Sequence, residues 1–354
     1  MNITFLIGNG FDLNVGLHTK YEHFLSYYSD VPHDEDPRLI RFKKDIKKDL
    51  KSWADAEKMM GEYTLKYKDG DENDFIFCKK DFQEKLSDYL KNQEKRINYD
   101  TFSDDIIAVF KNSLLNFKSY LPIARQEIID SAMKSHLSEN WHYNFITFNY
   151  TEVFDKCIKI VKDTNIPISV RRLNYTYSNN IANLIHIHGT VHKNMIMGVD
   201  NEEQILNEKI RSNKKFKKRF IKPITNEGLK ELNDTNATNM INNSRVVCVF
   251  GMSLGETDTT WWKNIATWLQ NSDVNQLIIF IKDDDWNDVN PEDVFASEEA
   301  VWERFYRLTD FPEDKQELFE ERIHIAVNTN LFKIDLTPKA EETEPQVEKE
   351  LITV

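Results

Sequence analysis

Cysteine is scarce in this chain of 354 residues: Cys78, Cys157 and Cys248 are the three it has, far apart and never in a Cys-x-x-Cys pair. That argues against a disulfide framework and a thiolate zinc site, and fits a reducing compartment. No apolar run approaches the ~20 residues that cross a bilayer, and the N-terminus is strand-like, with no basic-then-apolar leader. The expectation is a soluble, cytoplasmic protein with no membrane partner. Positive charge is also in deficit: 46 Lys and Arg against 59 Asp and Glu leave a net charge of −13. That balance disfavours general nucleic-acid affinity. A last absence is local. The first apolar run ends in Gly8-Asn9-Gly10-Phe11-Asp12, yet the third glycine of a dehydrogenase fingerprint is missing at positions 11–13.

What is present is a globular composition, 40% apolar and 12% aromatic, long enough for one large domain with insertions or two ordinary ones. Residues 3–7 read as a buried strand, and Thr19-x-x-Glu22 as a capping box that starts a helix through Tyr28. Charge then crowds residues 31–140, where apolar positions recur at helical spacing (Ile40, Ile46, Leu50, Trp53; Ile106, Val109, Phe110, Leu114, Phe117). This is read as a helical insertion with a loop at 68–73. Strand-like runs return at 144–149, 184–188, 195–199, 245–251 and 276–282, with helical segments near 152–163, 258–271 and 297–308. Residues 322–336 read as an edge hairpin.

The expected fold is α/β: a Rossmann-type open, mainly parallel sheet with helices on both faces and a large helical insertion. The core is expected from 1–30, 141–200 and 244–336. A basic helical insertion at 201–243 carries the run KIRSNKKFKKRFIK (209–222), which reads as a solvated face. An acidic, Pro-containing tail at 337–354 is expected to be mobile.

Four places could carry chemistry. The Gly8/Gly10 corner, followed by Gly16, leaves backbone open to an anion at a strand's carboxyl end, although a plain strand-to-helix turn explains two glycines equally well. Thr147-Phe148-Asn149-Tyr150-Thr151 ends another strand; Asn149 offers a donor and an acceptor, or else it or Thr151 caps a helix. In His186-Ile187-His188-Gly189-Thr190-Val191-His192 the first two histidines would share one side of a strand. They suit a metal pair, but the aspartate of His-x-His-x-Asp-His is absent and no metal is expected. His188 beside Gly189 suits a general base, and His186 a core histidine. Lastly, Gly251 and Ser253 follow a buried strand, with Asp258 as a helix cap.

Together, IGNGFDLNVGLHTKYEHF, Trp53-x-x-x-Glu57, ITFNYT, IHIHGT followed by MIMGVD, and FGMSLGETD resemble the AbiH family of phage abortive-infection proteins, from the first strand to about residue 270. A more distant resemblance is to sirtuins and sirtuin-like NAD-hydrolysing defence proteins. Their Gly-Ala-Gly-x-Ser-x-x-x-Gly-Ile-Pro opening is matched in spacing by Gly8, Gly10 and Gly16. Their Thr-x-Asn-x-Asp is matched by Thr147, Asn149 and, imperfectly, Thr151, their His-Gly by His188-Gly189, and their late Gly-x-Ser by Gly251 and Ser253. Asp12 and Thr151 replace the usual Ser and Asp, and the two Cys-x-x-Cys pairs of the deacetylases are missing.

The resemblance implies a bacterial anti-phage protein with NAD as substrate, cleaved by His188, Asn149 and Asp12. Gly8, Asn9, Gly10, Phe11, Gly16, Thr147, Thr151, Gly189, Gly251 and Ser253 would line the nucleotide site. Asp12 would either stabilise a cationic ribose or bond its own corner amides. A phage-derived or host trigger and a homo-oligomer are compatible with this. A catalytically silent nucleotide-binding sensor and an RNA- or DNA-directed toxin are the alternatives.

Overall fold

The computed structural model describes residues 1–31, 36–67, 71–164, 167–284 and 290–337. The acidic tail from 338 onward and positions 68–70 of the expected loop lie outside them. Glu72 and Asn73 already belong to the helix Glu72–Glu94.

Among the described residues, seven strands form one sheet: β1 Asn2–Ile7, β2 His142–Thr147, β3 Ile168–Arg172, β4 Tyr175–His186, β5 Val246–Phe250, β6 Gln276–Ile281 and β7 Ile323–Val327. Their spatial order is β3-β4-β2-β1-β5-β6-β7, and every neighbouring pair is parallel except β3 with β4. Counted alone, the six parallel strands lie in the order 3-2-1-4-5-6, the doubly wound Rossmann arrangement. The chain builds outward from β1 through β2 to β4, then returns to β1's other side to add β5, β6 and β7. The switch point therefore lies at β1.

The central strands are apolar on both faces because helices cover both. Ile3, Phe5 and Ile7 of β1 face a core shared with Phe145, Cys248 and the helices Ser103–Leu115, Ile123–Met133 and Val153–Asp163. Leu6 faces the opposite core, with Val247, Val249, Ile279 and the helices Asn233–Asn242, Thr259–Gln270 and Pro291–Thr309. A third core belongs to neither face. It joins Phe24, Phe42, Trp53, Phe75 and Phe82 to Val191, Phe216, Phe220 and Ile221, forming a helical lobe. The segment 31–140 is thus divided: its first part builds this lobe, and Ile97 to Met133 pack on the sheet.

Several expectations are corrected. Residues 322–336 are not a hairpin. β7 pairs with β6 in parallel, and Leu331, Phe332 and Leu336 plug the first core instead. Residues 195–199 form no strand, only the single bridge Val199–Ile221. The capping box does not form: the helix Tyr21–Asp30 has Lys20 as its N-cap, and Thr19 donates to Asn9 Oδ1 instead. The antiparallel hairpin β3–β4 turns through Leu173 and Asn174, both at positive φ (48° and 66°), as a two-residue hairpin loop requires. Among the described residues, no helix is long and apolar enough to cross a membrane.

Candidate functional site

A cavity of about 340 Å³ opens at the carboxyl ends of β1, β2, β4 and β5, where an open doubly wound sheet places its ligands. Gly8 follows β1, Asn149 and Thr151 follow β2, His188 follows β4, and Gly251 and Ser253 follow β5; all six line it. Asn9 and Asp12 complete that wall, while Asp55, Glu57, Leu86 and Leu90 of the helical lobe form the facing one.

The corner at Gly8–Asp12 is the first turn of a short helix, Gly10–Asn14. Its glycines are explained by close packing. A Cβ on Gly10 would lie 2.4 Å from Gly251 Cα, and Gly251 itself has φ 68°. Three corner amides are already engaged: Gly8 N–H donates to Phe250 O, Gly10 N–H to Gly251 O and Phe11 N–H to Gly8 O. They are not free to cradle a phosphate. Phe11 turns into the first core, 4.8 Å edge-on to Phe154. Gly10, Gly16, Thr147 and Gly189 are not among the residues that line the cavity; Thr147, fully buried, accepts the Asn149 N–H through its hydroxyl.

Asp12 is 1% exposed and meets only neutral donors: Asn149 Nδ2 at 3.1 Å and Thr151 Oγ1 at 2.7 Å. Burial pushes its carboxyl up to about 7, although these two hydrogen bonds oppose the rise. The expectation that it bonds its own corner amides is therefore corrected; its partners come from the loop after β2. Because Asn149 Nδ2 is committed to Asp12, the remaining polar atom, Asn149 Oδ1, is left buried without a partner.

The three histidines separate, since β4 ends at His186 and the alternation expected through His188 stops there. His186 is saturated: Nε2 pairs with Asp155 at 2.8 Å, and Nδ1 donates to Asn149 O at 3.1 Å. Burial lowers its pKa, but Asp155 outweighs this and raises it above the ordinary value. His192 pairs with Glu94. His188 pairs through Nε2 with Asp258 Oδ1 at 3.2 Å, and its Nδ1 is buried with no partner. Each histidine thus takes a different acid. Among the described residues, no group of three or more His, Cys, Asp or Glu side chains could hold a metal.

The residues missed at the sequence level form a partly buried ionic chain behind His188. Lys222 Nζ donates to Asp258 Oδ1 and to Glu57 Oε2, both at 2.9 Å, and Tyr150 OH lies 2.8 Å from Glu57 Oε1. Burial alone would raise the Asp258 carboxyl; Lys222 and His188 instead hold it well below the carboxylate range. Lys222 closes the basic run read as a solvated face, yet it is only 2% exposed. Its apolar neighbours Phe220 and Ile221 were the available signal for that burial. Asp258, read as a helix cap, makes no side-chain cap bond.

No curated protein sequence matches the chain. The family model for bacteriophage abortive infection AbiH matches residues 4–280, which span the strand ends that build the cavity and the lobe that faces them. The chain belongs to the AbiH family, and its setting is abortive-infection defence against phage.

Proposed function

We propose that the cavity binds the nicotinamide–ribose end of NAD and hydrolyses the bond between them, depleting NAD in the infected cell. The observation that carries this reading is a pair of buried polar atoms without partners, Asn149 Oδ1 and His188 Nδ1, on residues that line one cavity at the switch point. A buried polar atom left unpaired costs about 1–3 kcal/mol, so a ligand or water that supplies donors is favoured there.

In this mechanism His188 Nδ1 takes a proton from water as the water oxygen bonds to the ribose C1′. The C1′–N bond breaks, and its electron pair neutralises the departing pyridinium nitrogen. The transition state is oxocarbenium-like, as in glycoside hydrolysis. Asn149 Oδ1 accepts from the nicotinamide amide or from the attacking water. Asp12, with its pKa near 7, is partly ionised at neutral pH and favours positive charge on the ribose. With the Gly8, Gly10 and Phe11 amides engaged, Lys20 and Ser253 of the cavity wall would meet a phosphate.

Purified protein incubated with NAD, alone and in lysate from phage-infected cells, is expected to release free nicotinamide. His188→Ala and Asn149→Ala are each expected to lower the rate roughly 100-fold or more. Wild-type protein that binds NAD but releases nothing under either condition would establish the second reading, a silent nucleotide sensor. The tie between Asp12 and the Asn149 amide favours that alternative, because it removes one of the two polar groups Asn149 could offer a substrate.

A further inference from the structure

We infer that Asp258 is the positioning residue that makes His188 a base, fixing its proton on Nε2 and leaving Nδ1 bare. The inference rests on the reading of His188 as the proton acceptor. Of the two ring nitrogens of a neutral imidazole, one carries hydrogen and the other a lone pair, and the partner of one decides the state of the other. Asp258 Oδ1 lies 3.2 Å from Nε2 and, as a carboxylate, can only accept. Nε2 therefore donates, and the buried, unpartnered Nδ1 is the lone-pair side.

The geometry holds this arrangement from three directions. Lys222 donates to the same Oδ1 at 2.9 Å, so the oxygen facing His188 stays ionised. Glu57 holds Lys222 from the lobe, and Tyr150 holds Glu57, which ties the acid to both walls of the cavity. Phe148 packs edge-on against the imidazole, with ring centres 5.6 Å apart, and restricts its rotation. Asp234, from the helix Asn233–Asn242, is a further acid within reach of the His188 charge; its Oδ1 accepts from Asn226 Nδ2. His186, with both nitrogens engaged, has no comparable free side.

The tautomer is read without substrate by two-bond nitrogen–proton NMR of histidine-labelled protein, with His188 assigned by its absence in His188→Gln. The expected pattern is Nε2-protonated, Nδ1-bare; an Nδ1-protonated ring would overturn the inference whether or not NAD is cleaved. Activity supplies the second arm. Asp258→Asn keeps an acceptor for Lys222 and His188 but loses the charge. Its kcat is expected to fall roughly 100-fold with KM nearly unchanged, and the acid limb of the pH profile to move to lower pH. An unmoved acid limb would reduce Asp258 to a packing role. If the NMR pattern is as expected while wild type leaves NAD intact, the proposed reaction fails and the positioning stands.

Discussion

Two aspartates on the walls of one cavity have been driven in opposite directions by what surrounds them. Asp12, on the corner after β1, is buried among an amide and a hydroxyl, and its carboxyl rises to about 7. Asp258, before the helix Thr259–Gln270, meets an ammonium and an imidazole, and its carboxyl falls well below the usual range despite burial. Burial alone does not decide the charge of an acid; the charge of its donors does. The cavity thus combines an acid beside Asn149 that titrates around neutral pH with an acid beside His188 that is held ionised.

The strongest way to break this contrast is to remove the cation. Lys222→Met leaves the buried Glu57 and the partly buried Asp258 without their shared partner, and unfolding in urea at pH 7 should show a loss of about 3–5 kcal/mol. A loss under about 1 kcal/mol would mean that the pair is solvated rather than buried. Asp12→Asn tests the other acid through pH. Its folded pKa lies above the ordinary 3.8, so below that value both states hold the proton. As pH rises from 3.8 toward 7 the unfolded chain ionises first, and wild type loses up to about 1.4 kcal/mol per pH unit from this group. Above 7 the loss stops growing. The asparagine variant should lack that slope, and identical slopes in the two proteins would mean that Asp12 is charged throughout.

For Asp258 the sign reverses: its stabilisation is present above the ordinary carboxylate range and fades only as acid is added. The finest test is Thr151→Val, which deletes one neutral donor to Asp12. It should cost about 0.5–1.5 kcal/mol at low pH and move the upper end of the Asp12 window above 7, as followed by the same unfolding series.

Much of the frame was legible because the central strands are buried on both faces. β1, β5 and β6 read as short apolar runs, and the residues after β1, β2, β4 and β5 announced a turn or a polar strand end. Their meeting at one cavity follows from sheet order, which the chain order of the motifs only hints at. The β3–β4 hairpin escaped because an edge strand such as ISVRR carries no apolar run, and its turn uses Leu173 in place of a glycine. β7 was mistaken for a hairpin arm because parallel pairing leaves no local signature. Lys222 was hidden by composition. The other cations of its run, such as Lys214, Lys215, Lys218 and Arg219, are exposed, whereas its partners, Glu57 and Asp258, lie 165 and 36 residues away.

That separation also sets the order in which the molecule can be assembled. Glu57 leaves the ribosome 165 residues before Lys222, a delay of roughly 8–33 s at 5–20 residues per second. Throughout that interval the lobe lacks Phe216, Phe220 and Ile221, so its core is incomplete. Asp258 and β5, which complete the cavity, come later still. A nascent or truncated chain that stops before residue 222 carries Asp12, Asn149 and His188 but lacks both Lys222 and the Asp258 carboxylate that pairs with His188. Whatever this cavity does to a cell, it begins only once most of the chain has been made.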